Sequence, residues 1–331
     1  MENTHCVELP KNQRVMITGL TGQDGYYLAR MLLARGCEVV ALVHHAEMDK
    51  AHEIRDELGP IELVPCDLRD QAAVECAIKA RSPHVIYHLA AQSSVFISWK
   101  EPLMTAQANA MGTIYILDAI RRHCPGSSMV TAGSCDCFDH DAATNGLLPT
   151  TPFRATNPYA TSKVMAHQYV HYYRDAFNLR ASVAIFFNHT STRRPEHFVE
   201  RGIVANAVRV ALGQQDAIEL GSLETRRDWS WAPELVDAFA RMGAMPAPAD
   251  LVLASGRTMT TGDWVREAFS QLGLDMSHVR VDPTRCHPGD RQHTFGNIED
   301  AKRLLGWEPK MTLSAMVKAL IDHDMSRMNK S

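Results

Sequence analysis

The segment Thr18-Gly-Leu-Thr-Gly-Gln-Asp-Gly25 places three glycines between an apolar run and an amphipathic run. The apolar run, residues 14–18, predicts a buried strand, and residues 24–35 predict a helix. In that context the first glycine permits a tight turn, the second lets backbone approach a pyrophosphate, and the third lets helix and strand pack closely. Amides at the helix N-terminus add a partial positive charge. The segment therefore predicts dinucleotide contacts from Gly19, Thr21, Gly22, Gln23, Asp24 and Gly25.

Short apolar runs and amphipathic runs alternate through the first 190 residues. Strands are predicted at 14–18, 38–43, 61–65, 84–88, 128–132 and 181–187, and helices at 24–35, 71–80, 102–122 and 158–177. This alternation predicts an α/β fold with a Rossmann-type doubly wound parallel sheet. Later, short strands near Ile218, Trp229 and Leu251 mix with helices, which indicates a smaller α+β lobe. We expect a dinucleotide domain over 1–190 and a second lobe over 191–331, interleaved with the first because no Gly/Ser-rich linker separates them.

Composition excludes several classes of protein. The 331 residues carry 22% charged and 45% hydrophobic residues with a net charge of −4, which suits a large core and gives no electrostatic footprint for nucleic acid. No apolar run reaches the length of a membrane span, and residues 1–14 lack the apolar core of a signal peptide. The 8 cysteines fit reduced thiols in a chain of this length. We therefore expect a cytoplasmic protein without a membrane or nucleic-acid partner.

A tyrosine and a lysine stand four residues apart in Tyr159-Ala-Thr-Ser-Lys163, at the start of the predicted helix 158–177. This spacing puts both side chains on one helical face. An ammonium beside a phenol favours the phenolate and lowers its pKa from about 10. Such a tyrosine can take a hydroxyl proton while a hydride leaves for nicotinamide. Alone, this motif is weak evidence for a catalytic site. The evidence is stronger here because the motif follows the glycine segment at a separation that suits one nucleotide-binding domain.

Two further strand ends predict cofactor contacts. The strand 38–43 ends at His44-His-Ala-Glu47, where an acidic residue would hold a ribose 2′-hydroxyl and an arginine a 2′-phosphate. His44 and His45 can donate to a phosphate, whereas Glu47 would repel one, and an exposed loop without a ligand fits equally well. Asp67 and Leu68 follow the strand 61–65 and predict a contact with adenine. NAD and NADP therefore both remain open.

Several segments together resemble the GDP-mannose 4,6-dehydratase family of the extended short-chain dehydrogenase/reductase superfamily. They are Ile17-Thr-Gly-Leu-Thr-Gly-Gln-Asp-Gly25, His88-Leu-Ala-Ala-Gln-Ser-Ser-Val95, Phe187-Asn-His-Thr-Ser-Thr-Arg-Arg194, Leu220-Gly-Ser-Leu-Glu-Thr-Arg-Arg-Asp-Trp229 and Leu305-Gly-Trp307. The resemblance implies a nucleotide-sugar substrate that straddles both lobes, with a GDP-hexose favoured. It also implies a nicotinamide cofactor kept through the cycle, NADP by preference, and a homodimer formed by residues 102–122 and 158–177.

The resemblance also assigns contacts to single residues. It implies cofactor contacts from Leu89, Ala90, Ala91, Ser93, Tyr159, Lys163, His189 and Arg194. It implies substrate contacts from Ser94, Asn188, Arg201, Arg227 and Arg291. No metal is expected, because Cys135-x-Cys137 has no second cysteine or histidine pair at zinc spacing.

By position, the family's catalytic Thr-x-Glu falls on Ser134-Cys135-Asp136. The implied reaction moves a hydride from C4 of the sugar to NAD(P)⁺ while Tyr159, assisted by Ser134, takes the 4-OH proton. Asp136 then removes the C5 proton, water leaves from C6 with help from Cys135 or Tyr159, and the hydride returns to C6. Asp136 is shorter than glutamate by one C–C bond, about 1.5 Å. A capping role for Asp136 and a structural role for a buried Cys135 are the alternatives.

Two segments depart from the family pattern. The family's C-terminal Arg-Pro-x-Glu reads His287-Pro-Gly-Asp290, with Arg285 or Arg291 as substitutes, and its arginine-rich loop after the second strand reads His44-His-Ala-Glu47. The first departure concerns the specificity for guanine. The second concerns the preference for NADP and the formation of a tetramer. A nucleotide-sugar 4-epimerase or reductase, which needs no C5 base, is the alternative function. A dehydratase that stops at an alkene and a non-catalytic NAD(P) or nucleotide-sugar sensor are further alternatives.

Overall fold

The chain folds into two compact units. A computed structural model describes residues 7–285 and 293–328. The first unit runs up to Phe186 and adds Leu235–Leu253 and Asn297–Glu308. The second unit takes the described residues of Phe187–Glu234, Ala254–Gly296 and Pro309–Ser331. Each unit is therefore assembled from separate segments of sequence, and the predicted division of cofactor and substrate between two domains stays a prediction.

The described residues form the following strands and helices. The strands are β1 (Arg14–Thr18), β2 (Glu38–Val43), β3 (Ile61–Pro65), β4 (Val85–His88), β5 (Ser128–Ser134), β6 (Arg180–Phe186), β7 (Asn188–Thr190), β8 (Ile218–Leu220), β9 (Arg226–Arg227), β10 (Trp229–Trp231), β11 (Leu251–Leu253), β12 (Met259–Thr260) and β13 (Val279–Val281). The α-helices are α1 (Gln23–Ala34), α2 (Met48–Leu58), α3 (Gln71–Arg81), α4 (Val95–Lys100), α5 (Pro102–Ala106), α6 (Gly112–His123), α7 (Pro158–Phe177), α8 (Val199–Ala211), α9 (Ala232–Met242), α10 (Thr261–Leu272), α11 (Glu299–Leu305) and α12 (Leu313–Met328).

In the first unit, a parallel sheet has the order β11-β6-β5-β4-β1-β2-β3. The order reverses at β1, where β4 and β2 pair with opposite edges of the strand. Val15, Met16 and Ile17 of β1 are fully buried, which explains the continuous apolar run at this point in the sequence. Ligands of such sheets bind beyond the carboxyl ends of the strands near the reversal. The predicted fold class is confirmed.

The structure departs from the predicted elements in three places. The predicted helix 102–122 is divided into α5, a π-helical turn at Gln107–Met111, and α6. The strand near Leu251, expected in the smaller lobe, is β11 and pairs with β6 at the edge of the large sheet. The prediction missed the helices α2, α4 and α11 and the short strands β7, β9, β12 and β13. In α2 the buried positions are Ala51 and Ile54, too few to give a clear apolar period.

The second unit contains short strand pairs and three helices around its own core. β7 pairs with β10 and β8 with β13 in parallel, while β9 pairs with β12 antiparallel. Helices α8, α10 and α12 share a core in which Trp229 and Trp264 are buried, with ring centroids 5.9 Å apart. Across residues 7–285 and 293–328, no helix combines the length and the apolar character needed to cross a membrane.

Candidate active site

The glycine turn between β1 and α1 is closely packed. Gly19 has φ +81°, and a Cβ there would lie 2.8 Å from the Ala90 amide nitrogen. A Cβ on Gly25 would lie 2.1 Å from the Gly19 carbonyl oxygen, so the third glycine lets α1 pack against the turn as predicted. The N-cap of α1 is Gly22, which offers no side-chain cap. The N-terminus of α1 therefore presents backbone N–H groups and no capping side chain, an arrangement that suits a pyrophosphate.

A buried histidine links the glycine turn to the loop after β4. Thr18 Oγ1 accepts from the Ala90 amide at 3.0 Å and donates to His88 Nδ1 at 2.8 Å. His88 Nε2 therefore carries the proton and donates to Thr113 Oγ1 at 3.0 Å, which donates to the Asn109 carbonyl. Burial, together with the charge of Lys163, lowers the pKa of His88 to about 3. This neutral histidine fixes the backbone of the predicted cofactor contact Ala90.

Asn109 extends this network to α7. Its Oδ1 accepts from the Gln92 amide at 2.8 Å, and its Nδ2 donates to the Gln92 carbonyl and to Ser162 Oγ, both at 3.0 Å. Ser162 Oγ donates in turn to the Tyr159 carbonyl at 2.7 Å. The π-helical turn carries Asn109, which is 1% exposed. Sequence reasoning missed this residue, whose signal was an asparagine inside a predicted helix.

The remaining predicted residues of this loop lie beside the network. The Leu89 amide donates to the Thr18 carbonyl at 3.2 Å, which continues the pairing of β4 with β1. Ser94 caps α4 by accepting from the Ile97 amide at 3.3 Å. Ala91 is half-buried and Ser93 is exposed. The loop after β4 therefore runs beside the glycine turn.

Helix α7 carries the predicted tyrosine and lysine. Asn157 caps it by accepting from the Ala160 amide at 2.8 Å, and Pro158 occupies the first turn. Tyr159 and Lys163 follow on the buried face, 9% and 7% exposed. Lys163 Nζ donates to the Ala132 carbonyl on β5 at 2.9 Å. The cap and this bond place both side chains against the carboxyl end of β5.

The end of β5 brings the other predicted catalytic residues to Tyr159. Ser134 closes the strand, and its hydroxyl accepts from the Asp136 amide at 3.2 Å to start the 3₁₀ turn Cys135–Cys137. The Ser134 side chain and the Asp136 carboxylate both lie close enough to the Tyr159 hydroxyl to influence the pKa of that phenol. Ser134, Asp136, Tyr159 and Lys163 therefore form one cluster in the first unit.

Cys135 lies in the same turn and is 5% exposed. Its carbonyl accepts from His140 Nε2 at 2.8 Å, which holds the turn in place. Cys137 is 1% exposed, and its thiol donates to the Ala160 carbonyl at 3.6 Å. Both thiols belong to the surroundings of the cluster, and the acid role of Cys135 stays a prediction.

The expected lowering of the tyrosine pKa is absent from this structure. Burial raises the pKa of Tyr159 well above its ordinary value, Asp136 adds to the rise, and the hydrogen bond from Ser134 opposes it. Burial also lowers the pKa of Lys163 from 10.5 to about 8. A buried phenolate near a carboxylate is unfavourable, and the ammonium of Lys163 is engaged by a carbonyl of β5. The phenol is therefore neutral in the folded chain.

The lysine gives a testable pH dependence. Its pKa is lower in the folded chain than in the unfolded chain, so the folded chain binds fewer protons between pH 8 and 10.5. Lys163 should therefore raise the free energy of unfolding by about 1.5 kcal/mol between pH 8 and 9.5, read as the difference between the wild type and Lys163→Met, because the raised pKa of Cys66 acts in the opposite direction. Urea unfolding at both pH values measures this rise, and Lys163→Met is the control that should lack it. An equal rise in both proteins would contradict the assignment.

Asp67, which is predicted to contact adenine, helps to line a cavity of about 330 Å³. The other lining residues are Arg69, Asp70, Gln107, Met111 and Tyr115. Arg69 Nη2 donates to Asp67 Oδ2 at 2.6 Å, and these hydrogen bonds lower the pKa of Asp67 to about 2. His44 Nε2 lies 3.7 Å from the same oxygen, while His44 Nδ1 accepts from the Ala46 amide at 3.2 Å. His45 is exposed and Leu68 is half-buried. Sequence reasoning missed Arg69, which balances the charge of Asp67.

In the second unit, β7 begins with Asn188 and His189, and Asn188 stands in register with Trp229 of β10. His189 Nδ1 donates to the Phe187 carbonyl at 2.7 Å. The Arg194 guanidinium lies 3.4 Å from the Phe198 ring centroid and donates to Glu200 at 3.3 Å. These interactions position Asn188, His189 and Arg194, the residues that the family resemblance assigns to substrate or cofactor binding, within the second unit.

Arg227 lies in β9 next to an anchored aspartate. Asp228 is fully buried and accepts from the Ser255 amide at 2.7 Å, the Ser255 hydroxyl at 2.6 Å and the Gly256 amide at 3.0 Å. Burial raises the pKa of Asp228 to about 6, although these hydrogen bonds oppose the rise. Arg227 donates to the Arg226 carbonyl at 2.9 Å. The aspartate therefore fixes the backbone on which Arg227 is mounted.

The other predicted arginines have different surroundings. Arg201 is 1% exposed, and both of its terminal nitrogens donate to Asp324, so the structure gives it a buried ion pair between α8 and α12 and does not support the predicted substrate contact. Arg285 pairs with Glu219. Arg291 and the segment His287–Asp290 lie outside the described residues.

Comparison with known proteins gives the same family as the sequence motifs. The model of the family described as GDP-mannose 4,6 dehydratase matches residues 16–320. GDP-mannose 4,6 dehydratase 2 of Arabidopsis thaliana is 35% identical over 326 residues, covering 94% of this chain and 86% of that protein. RMD from Pseudomonas aeruginosa, complexed with NADPH, is similar in structure with a TM-score of 0.80 and 22% identity, over 95% of this chain and 99% of that one.

A second solved structure shares the fold. The dTDP-glucose 4,6-dehydratase of Bacillus anthracis, in complex with NAD, matches with a TM-score of 0.80 and 18% identity, over 96% of this chain and 98% of that one. At such identities the two structures establish the fold alone. The family model and the curated relative, each matching nearly the whole chain, establish more. This chain belongs to the GDP-mannose 4,6-dehydratase family.

Proposed function

We propose that this chain is a nucleotide-sugar 4,6-dehydratase that works with a nicotinamide dinucleotide. The observation that carries the proposal is the Asp136 carboxylate beside the Tyr159–Ser134 pair, since a carboxylate at this point supplies the C5 base that an epimerase does not need. The glycine turn supports the cofactor, because the Gly19 and Gly25 positions leave no room for a side chain and the N-terminus of α1 has no side-chain cap.

When bound, the dinucleotide supplies the acceptor for the hydride of C4 and returns that hydride at C6. Tyr159 can take the 4-OH proton only as a phenolate, and Ser134, which lies beside the same phenol, orients the substrate hydroxyl. Because burial keeps the phenol neutral in the ligand-free chain, we propose that Tyr159 first loses its own proton to solvent, when the positive charge of a bound oxidised nicotinamide would favour the phenolate. Lys163 supplies a second positive charge that stabilises this phenolate until it takes the 4-OH proton.

Asp136 takes the proton from C5 once the ketone at C4 has made it acidic. The leaving C6 hydroxyl needs a proton, and Tyr159, which has just gained one, is the donor we propose. Cys135 is the second candidate, because it lies in the same turn as Asp136. As the hydride returns to C6, Asp136 gives its proton back to C5, and the product is a 4-keto-6-deoxy sugar nucleotide. Failure of the final hydride return would instead leave an alkene, which the mass of the product distinguishes.

The direct experiment is incubation of the purified chain with GDP-, UDP-, CDP- and dTDP-hexoses, followed by mass spectrometry. We expect one substrate, a GDP-hexose, to lose the mass of one water. Isomerisation without loss of mass would favour the 4-epimerase. Tight binding without turnover across the panel would favour the sensor.

The cofactor preference is a separate proposal. The family resemblance implies NADP. In this structure, His44 at the end of β2 lies beside the ion pair of Asp67 and Arg69, and these two opposite charges favour neither NAD nor NADP. Titration of the apo-protein with NADH and NADPH, read by their fluorescence, measures the preference. Asn188 and Arg227 are the substrate contacts we propose in the second unit. A cytoplasmic location rests on the composition of the chain alone.

We also propose a homodimer formed through α5 and α7. Leu103 is 78% exposed and Tyr172 is 69% exposed, although both are apolar or aromatic. Leu103→Glu combined with Tyr172→Glu should halve the mass found by size-exclusion chromatography with light scattering, because two charges would enter the apolar contact. Met276→Glu, an exposed position in the second unit, is the matched control. A wild-type mass of 36.9 kDa would contradict the dimer.

A further inference from the structure

Two histidines and an aspartate converge on the buried face of α7 in the first unit. His167 and His171 are four residues apart on the helix, and Asp250 comes directly before β11. One ligand atom from each lies within 4.8 Å of the other two. The proposed reaction uses none of these three residues.

The aspartate is oriented by contacts that leave one oxygen for the histidines. Its Oδ1 accepts from Arg174 Nη2 at 2.6 Å and from the Val183 amide at 2.9 Å. Its Oδ2 lies 3.2 Å from His167 Nε2 and is hydrogen-bonded to His171 Nε2. Hydrogen bonds of this kind to the free oxygen of a ligating carboxylate orient the ligand at metal sites.

The packing around the cluster also suits a bound ion. His167 lies against the rings of Phe138 and Phe153, with centroid distances of 5.9 and 5.2 Å. One imidazole of the cluster is thereby held in a fixed position.

We propose that His167, His171 and Asp250 bind a divalent transition-metal ion, with Zn²⁺ preferred and water as the fourth ligand. Two imidazoles and one monodentate carboxylate form a common zinc ligand set, and tetrahedral ligands at about 2.0–2.2 Å lie roughly 3.3 Å apart. The His171 side chain is 39% exposed, which leaves access for the ion and for water and lets the ring adjust. Mg²⁺ and Ca²⁺ prefer oxygen ligands, so a site with two imidazole ligands does not suit them.

The bound ion would connect two segments that are distant in sequence. It would tie α7, which carries Tyr159 about two turns and Lys163 about one turn before His167, to the edge strand β11. We expect this connection to stabilise the first unit without taking part in the reaction. Sequence analysis predicted no metal, because it weighed only Cys135-x-Cys137 and overlooked the i, i+4 spacing of His167 and His171. The third ligand, Asp250, stands 79 residues from His171.

The test uses tag-free full-length protein, treated with EDTA and then dialysed. Titration with Co²⁺ should produce visible absorption bands of tetrahedral intensity that saturate at one equivalent and disappear when Zn²⁺ is added. Zn²⁺ should also raise the Tm by several degrees, because it binds the folded chain. Absence of both effects would overturn the proposal, as would a thiolate charge-transfer band, which would place the ion on cysteine.

The variants assign the site. His171→Ala, at the exposed ligand, should weaken Co²⁺ binding at least tenfold while its metal-free Tm stays near that of the wild type. His123→Ala is the matched control, since His123 forms another histidine–carboxylate pair, with Glu75 at 2.7 Å, and should bind Co²⁺ normally. Equal Co²⁺ affinity in His171→Ala and the wild type would contradict the site.

Discussion

Asp136→Asn should abolish loss of water while hydride transfer from C4 persists. An asparagine amide fills the same volume but cannot take the C5 proton, and a general base contributes about 10²–10⁴-fold to a rate. The backbone amide of residue 136, which donates to Ser134, is unchanged by the substitution. We therefore expect dehydration to fall at least about 10²-fold, while reduced cofactor accumulates at 340 nm when substrate is added.

Asp136→Glu is the matched control for this experiment, because it restores the carboxylate length typical of the family. It should retain dehydration and shows whether the shorter side chain limits the rate. Undiminished product from Asp136→Asn would make the dehydratase assignment wrong. It would leave the 4-epimerase, which needs Ser134, Tyr159 and Lys163 but no C5 base.

Gly25→Ala should destabilise the first unit and remove dinucleotide binding. Its Cβ would stand 2.1 Å from the Gly19 carbonyl oxygen, and both atoms belong to backbone that β1 and α1 hold in place. Relief requires α1 to move away from the turn, with a loss of unfolding free energy of about 4 kcal/mol or more. Urea unfolding and NADPH fluorescence titration measure the two effects.

Gly22→Ala separates packing from ligand binding. A Cβ there would lie 3.4 Å from the Gly19 carbonyl oxygen, an ordinary contact, and the φ of −77° suits alanine. The variant should keep the stability of the wild type but bind the dinucleotide more weakly, because the methyl group would separate backbone from pyrophosphate. If Gly25→Ala unfolded no more easily than Gly22→Ala, the packing explanation would be wrong.

Local pattern was sufficient for the elements that carry the candidate site. Strands β1, β2 and β3 and helix α7 have the bounds that the apolar pattern predicted. Each is specified by a signal within its own few residues: a buried strand of a parallel sheet is apolar throughout, and α7 opens with Asn157-Pro158. Tyr159 and Lys163 could be proposed as catalytic residues from their spacing on α7, whereas Ser134, Cys135 and Asp136 were proposed from the family resemblance.

Contacts across the chain could not be predicted in the same way. The Asn109 amide meets Gln92 and Ser162 because a π-helical turn interrupts a helix that the apolar pattern presents as continuous. The pKa of Tyr159 rises because the phenol is buried, and burial depends on every segment packed around it. The strand β11 lacks a period that would assign it to either unit.

The sequence determined the alternation of strands and helices, the glycine turn and the family. Each of these depends on the types and spacing of residues that are close together in the sequence. Tertiary structure decided which polar groups meet. Arg201 satisfies its charge on Asp324, 123 residues away, and His167 and His171 meet Asp250 after a separation of about 80 residues. Buried charges must find partners, and only the folded chain shows which partners lie within hydrogen-bond distance.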